Sequence, residues 1–457
     1  MLLQYASGGR KFTFCKKTRE FGQPKNVFTI IVGKNGTGKS RLLRSIVIDL
    51  LRDHEDIRQL SDISRDIREN PIGELKVSNM PSKIICASTS PFDKFPIYRR
   101  QRSQRYYNYL GLRGLATNNL GLAYLARIIY TLVDAALRST MQAQAIADVL
   151  DYLNYEGTIK VSFGIASPSL LDRLLSSDSP RELIKDFTQR QASFIPDLTA
   201  SMRQLLDLDD KKLHALLKSA ARLLEGNKRP KVEMYLGAFG VEMRGNKHLH
   251  PQDVVALGQY GFIRLRDVEL QKKNAEEPLM MSEMSSGEQS VIMSLLGIGS
   301  QLQDDALICI DEPEVCLHPE WQERYIQLLS HIFSHYKGCH FLIATHSPQI
   351  VAQLPGDACY VMQMEDGVVH KSNEFARRSI DFQLATLFKA PGFKNEYLSR
   401  IALNTFLKVG KEKVFDEENI SNFELLDTAY VHLRNDDPLR EIIESLREMH
   451  REYGRHK

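Results

Sequence analysis

Three continuous apolar runs, each closing on a cluster of polar residues, constrain the fold of this 457-residue chain more than any other feature. Val27–Val32 (VFTIIV) leads into Gly33-Lys34-Asn35-Gly36-Thr37-Gly38-Lys39-Ser40, and Ala306–Ile310 (ALICI) into Asp311-Glu312. Phe341–Ala344 leads into Thr345-His346-Ser347-Pro348. Short runs without polar alternation read as strands buried on both faces, the habit of a sheet covered by helices. After the first of them, Arg41–Leu51 (RLLRSIVIDLL) has the apolar spacing of a packed helix. The expectation is therefore an α/β fold, with its polar chemistry gathered where strands end.

The polar clusters point to one nucleotide site. Gly33–Ser40 satisfies G-x-x-x-x-G-K-[ST] in full, in the strand–loop–helix setting the motif needs. Its glycines let backbone N–H groups turn toward phosphate oxygens, and the helix N-terminus adds partial positive charge. Lys34, Asn35, Gly36, Thr37 and Gly38 form the cradle, Lys39 would reach the β- and γ-phosphates of ATP, and the Ser40 hydroxyl would ligate Mg2+. Asp311 would hold Mg2+ from the opposite side, and Glu312 would orient or deprotonate the hydrolytic water. His346, in THSP after a core strand, stands where ABC-type ATPase heads keep a switch histidine, and that resemblance implies a hydrogen bond to the γ-phosphate.

A further segment, Met284-Ser285-Ser286-Gly287-Glu288-Gln289, opens a helix just before the Asp311 strand. Taken alone, Ser285 followed by Glu288 is a capping box. In this position the segment resembles the signature of ABC-type ATPases, and the resemblance implies that the small residues Ser285, Ser286 and Gly287 let the γ-phosphate of another subunit's ATP approach the helix N-terminus. Bland alternatives exist for each motif: a glycine turn, a capped helix, an acidic strand end, a core histidine. Their joint order along one chain favours a single ATP-hydrolysing site.

Composition narrows the rest. Sixty Lys and Arg against 57 Asp and Glu give a net charge of +3, so nucleic-acid binding is not demanded by bulk charge. The six cysteines show no C-x-x-C spacing, and Cys309 lies inside an apolar strand, which predicts reduced, packing thiols. No secretory h-region and no apolar run long enough to span a bilayer is present, so a cytoplasmic protein without membrane partners is expected.

Along the chain the reading divides as 1–115, the first part of the ATPase with its P-loop; 116–230, a mostly helical insertion; 231–375, the second part of the ATPase; and 376–457, a helical tail. The strand-like stretches Lys231–Ala238 and Gly261–Leu270 are expected to return the chain to the core. No glutamine clearly occupies the place of a Q-loop after Lys83–Ala87; Gln101 and Gln104 stand nearby in a different setting. Lys94–Arg113 (KFPIYRRQRSQRYYNYLGLR) interleaves arginines with tyrosines, a pattern that could neutralise phosphates and stack on bases of DNA or RNA, meet a protein partner, or pack as an ordinary loop.

These motifs resemble the ABC-type ATPase heads of the SMC/OLD superfamily, a mixed sheet flanked by helices. Glu314–Pro319 (EVCLHP) resembles the D-loop of that superfamily in its LHP form. With the STSPFDKFP segment (Ser88–Pro96), the helical insertion and the short tail, the chain is most similar to the PtuA-type ATPases of Septu and retron-associated antiphage systems. The resemblance implies dimers or higher oligomers joined through ATP sites, and a nuclease, commonly of the HNH type, supplied as a separate subunit. In the tail, Asp436-Asp437 is the nearest acidic pair and precedes Pro438 rather than ending a strand, unlike a Toprim nuclease. The alternative is a DNA-repair or recombination ATPase that clamps DNA directly through Lys94–Arg113.

Overall fold

The computed structural model describes residues 1–16, 25–52, 54, 60–61, 72–98, 106–115, 120–190, 196–224, 232–244, 248–315, 317–356 and 358–454. Its contacts divide the chain into two compact units: Met1–Ile57 with Asp62–Ser82 and Asp304–Lys457, and Arg58–Ser61 with Lys83–Gln303.

The first unit is built on the apolar runs. Val27–Val32, Leu307–Asp311, His340–Ala344 and Cys359–Gln363 are strands buried along their whole length. They lie parallel, with Val27–Val32 between Cys359–Gln363 and His340–Ala344, and Leu307–Asp311 beyond the latter. Val369–Lys371 closes the far edge antiparallel. The register sets Asp311 beside Ala344 and Ala344 beside Ile31, so these neighbouring strands end level. Whatever follows each strand is delivered to one edge of the sheet, the place where open parallel sheets build ligand sites. The helix Lys39–Leu51 packs its Leu42, Leu43, Ile46, Val47 and Leu50 inward. A smaller antiparallel sheet, Arg10–Thr13, Leu2–Ser7 and Glu74–Val77, belongs to the same unit.

His340 ties that small sheet to the core. The Leu2 amide donates to its Nδ1 at 3.1 Å, so its other ring nitrogen carries the proton and faces Thr29 Oγ1 at 2.9 Å. Thr29 in turn donates to the Phe14 carbonyl. Burial, then the N-terminal ammonium, pushes its pKa down from 6.5 to about 3. The unfolded chain takes this proton first as pH falls, so the neutral ring's stabilisation is complete above 6.5 and is lost toward 3. Denaturant unfolding is expected to show a loss of about 2 kcal/mol from this group between pH 7 and pH 5. The loss should shrink in His340→Gln; an unchanged slope in that variant would remove the assignment.

The second unit carries the helices expected between the ATPase halves, among them Leu120–Arg138, Thr140–Tyr152, Pro180–Arg190 and Asp210–Leu224. It extends well beyond 116–230 on both sides. The reason is a long strand, Tyr155–Ile165, that pairs antiparallel with Val232–Gly237 and Ile263–Lys272. These last two therefore do not return to the parallel sheet; they form a sheet of their own with Tyr155–Ile165, in which Val161, Phe163, Met234 and Val268 are buried. The signature helix, Ser286–Gln301, is in this unit and is buried from Val291 to its end.

The tail is a helical bundle of Ile380–Thr386, Glu396–Glu412, Glu417–Tyr430 and Leu439–Tyr453 around Leu398, Ala402, Leu426, Ile443 and Leu446. Asp437, 3% exposed, accepts from the amides of Lys394 and Leu439, and Asp436 pairs with Arg434, so both acids serve local structure. Cys15, Cys86, Cys309, Cys339 and Cys359 are free and buried; Cys316 lies outside the described residues. Among the described residues, no helix is long and apolar enough to cross a membrane.

Candidate nucleotide site

The P-loop is shaped by glycines in positions other residues resist. Gly36 and Gly38 have φ of 80° and 96°, and a Cβ on Gly33 would lie 2.8 Å from that of Met364. The loop closes on itself through Thr37, whose hydroxyl donates to the Lys34 carbonyl at 2.8 Å. The Lys34 amide donates to Glu365 Oε1 at 3.2 Å, which places a carboxylate at the mouth of the loop.

Lys39 is only 4% exposed. Its ammonium donates to the Gly33 carbonyl at 2.8 Å and the Lys34 carbonyl at 3.3 Å, and lies 3.2 Å from His346 Nδ1. Burial pulls its pKa from 10.5 to about 8, against the opposing pull of Glu314, Glu312 and Asp311. His346 is pushed from 6.5 to about 4, by burial first and by Lys39 second. At neutral pH the ring is therefore uncharged, and Nδ1 accepts from Lys39, leaving Nε2 to carry the proton. That nitrogen is 3.9 Å from Glu312 Oε1. A neutral donor beside an ammonium suits a polyanion that must bind and later leave.

Ser40 and Asp311 meet directly, hydroxyl to carboxylate at 3.1 Å. A hydroxyl and a carboxylate oxygen side by side are the hard donors that Mg2+ prefers, so the pair fits that ion. When bound there, Mg2+ would neutralise charge on the phosphate oxygens.

Glu312 has φ of 50°, uncommon for a non-glycine residue, and its amide donates to the Ala344 carbonyl at 2.9 Å. The left-handed turn ends the strand abruptly and sends the side chain, 32% exposed, toward the open edge of the sheet. One residue was not foreseen from sequence. Glu314, within the EVCLHP segment, accepts from Thr345 Oγ1 at 2.9 Å and from the His346 amide, so it fixes the backbone of His346. Burial raises its pKa, with the His346 amide the largest opposing influence. The only sequence signal was an acidic residue two positions after Glu312, without an assigned task.

Ser285 and Ser286 are exposed at the N-terminus of the signature helix, with Gly287 buried behind them. The expected capping box is only half present. Ser285 Oγ accepts from the Glu288 amide at 3.2 Å, but the Glu288 carboxylate takes the Tyr155 hydroxyl at 2.6 Å and Lys272 at 3.1 Å instead. These residues belong to the second unit, whereas Gly33–Ser40, Asp311, Glu312 and His346 belong to the first.

In the Lys94–Arg113 segment, Arg99, Arg100, Gln101, Arg102, Gln104 and Arg105 lie outside the described residues, as does the side chain of Tyr98. The described members make internal contacts. Tyr107 is buried and donates to the Pro96 carbonyl, and Tyr109 donates to Asp93 at 2.6 Å. Arg113 donates to the carbonyls of Asp93 and Phe95. This network occupies the stretch where a Q-loop was sought.

Comparison with known proteins agrees with the chemistry. Residues 158–352 match the family described as "AAA domain, putative AbiEii toxin, Type IV TA system". That range takes in the signature, Asp311, Glu312 and His346 but begins after the P-loop. The chain is 23% identical to the "Retron Ec83 probable ATPase" of Escherichia coli over 81% of its own length and 73% of that protein. It is 33% identical to "Protein ea59" of Escherichia phage lambda over 16% of its length and 14% of that protein. Among solved structures it overlaps a Smc head domain with an extended coiled coil from Pyrococcus furiosus, at 12% identity and a TM-score of 0.28, covering 82% of this chain and 97% of that one. The chain carries a P-loop nucleotide site.

Proposed function

We propose that the chain is an ATP-hydrolysing switch that closes around nucleotide as a homodimer or higher oligomer and controls a separate effector, a nuclease of the HNH type, in antiphage defence. The observation that carries this reading is the meeting of Lys39, Ser40, Asp311, Glu312 and His346 at one edge of the sheet, while Ser285 and Ser286 stand exposed on a different unit of the chain. Lys39 and the P-loop amides hold the phosphates, Ser40 and Asp311 hold Mg2+, and Glu312 takes the proton of the attacking water. Signature residues from a second copy would complete the γ-phosphate's surroundings. ATP would then fasten two chains, and hydrolysis would remove the shared contacts.

The defence role draws support from the similarity to a retron ATPase, and the PtuA-type assignment is its finer form. A cytoplasmic setting goes with it. A direct DNA clamp through Lys94–Arg113 has less support, because Tyr107, Tyr109 and Arg113 are engaged internally.

Mixing two inactive variants tests the shared site. Lys39→Ala removes the P-loop ammonium, and Gly287→Asp puts a charge where the γ-phosphate must approach. Each alone is expected to be inactive. Mixed in equal amounts, random two-fold dimers regain about a quarter of intact sites, and turnover should recover accordingly. No recovery, with dimers demonstrably exchanged, would count against sites shared between chains. The effector is tested separately: expression from the native locus should recover a stoichiometric second chain by intact mass, and a protein recovered alone would favour the DNA-clamp reading.

A further inference from the structure

We infer that a cleft in the C-terminal helical bundle, beside the P-loop, is a second anion site built to take a small phosphorylated ligand. The cleft is about 290 Å3 and is lined by Thr386, Lys389, Ser421, Glu424, Thr428 and His432, with Ala385, Pro391 and Leu425 as its apolar floor. That size lies near the lower end of small-molecule sites, enough for a mononucleotide rather than a polymer.

Three basic groups converge there. His432 lies 3.3 Å from the Lys34 ammonium by Nε2 and 3.5 Å by Nδ1. Lys389 adds a second positive charge near the same ring, and its backbone is held in the left-handed region, with φ of 48°, on the turn that ends Ile380–Thr386. Among the described residues, neither Lys34 nor Lys389 has an ion-pair partner. The crowding is visible in His432, whose pKa is lowered by burial and then by Lys34 and Lys389. The Lys34 and Lys389 ammonium groups, set about one uncharged ring without ion-pair partners, repel one another, and a bound anion offsets that repulsion. A structural reading would instead pair each of them with an acid, as Lys408 is paired with Asp416 in the same bundle.

Glu424 and the hydroxyls narrow the ligand class. A carboxylate on the wall disfavours a bare polyanion and favours a ligand that brings hydroxyl or amino donors along with its phosphate. A nucleoside monophosphate has both. The site would also bear on the ATP site, because Lys34 is the second residue of the P-loop and its amide is held by Glu365.

The inference does not depend on the switch reading, and the test keeps them apart. Full-length protein carrying Lys39→Ala, which disables the ATP site, is titrated with adenosine monophosphate by calorimetry. Saturable binding of one ligand per chain is expected. Adding Lys389→Asn, which tolerates a positive φ, or His432→Gln should weaken it roughly tenfold or more. Two substitutions are used so that misfolding of one leaves the other to decide. Absence of saturable binding at millimolar ligand, or equal binding in folded Lys389→Asn and His432→Gln proteins, would overturn the proposal.

Discussion

Glu312→Gln is expected to cut ATP turnover by roughly 10^2- to 10^4-fold while ATP remains bound and closed dimers accumulate. The amide keeps the volume and one acceptor oxygen of the carboxylate but cannot take a proton. The surroundings should hardly change, because Glu312 is fixed by its backbone: its amide donates to Ala344 and its carbonyl accepts from Val315. In the binding half of the site its charge is one of several that act on Lys39, which is held by the Gly33 and Lys34 carbonyls, while Ser40 is held by Asp311. Nucleotide affinity should therefore stay within a few-fold of the native protein. Phosphate release and size-exclusion chromatography with and without ATP provide the readout. A variant that is monomeric with ATP and turns over normally would remove Glu312 from its role.

The nucleotide site was readable in the sequence because it is made of backbone-level necessities. Gly36 and Gly38 meet the positive φ of the loop, and Lys39, Ser40, Asp311 and His346 follow the buried strands whose ends bring them together. The parallel strands were readable for the same reason: full burial on both faces leaves VFTIIV and HFLIA without polar alternation, and their polar members, Thr29 and His340, bond to each other inside the core. Pairing was not readable. Val232–Gly237 and Ile263–Lys272 look like strands in sequence, but which strand they join depends on contacts with Tyr155–Ile165 far along the chain. In the tail, Glu417–Tyr430 carries only a weak apolar stripe, because buried Asn419 shares the face of Leu426 and Ala429 while Ser421, Glu424 and Thr428 lie on the exposed side. Its start was nonetheless marked, since Asp416 caps it and Glu417 and Glu418 fill the first turn. The capping box at Ser285 misled for a related reason. Glu288 had the right spacing to turn back on its own helix, but Tyr155 and Lys272 offer it a hydroxyl and an ammonium.

Glu314 shows what a motif leaves out, and its removal should be felt both in stability and in turnover. The carboxylate serves two donors on the segment after His340–Ala344: the Thr345 hydroxyl and the His346 amide. Thr345 is fully buried and is itself bound, its amide to the Ile31 carbonyl and its hydroxyl oxygen to the Ser347 amide. Glu314 thus links the Asp311 turn to the His346 turn beside the P-loop strand. Glu314→Ala strands both donors in a buried place, at a cost of about 1–3 kcal/mol for each. Glu314→Gln keeps the shape and one acceptor, so it should recover most of the stability. It still turns an amide N–H toward one of the two donors, and the His346 backbone is the less able to yield. Turnover in Glu314→Gln is therefore expected to fall about tenfold or more through kcat, with the KM for ATP little changed, because His346 is displaced while Lys39 and the P-loop are not. Denaturant midpoints and steady-state kinetics on the two variants separate these effects. If Glu314→Gln matched the native protein in kcat, the carboxylate would be a structural tie alone, and His346 would be positioned by its contact with Lys39.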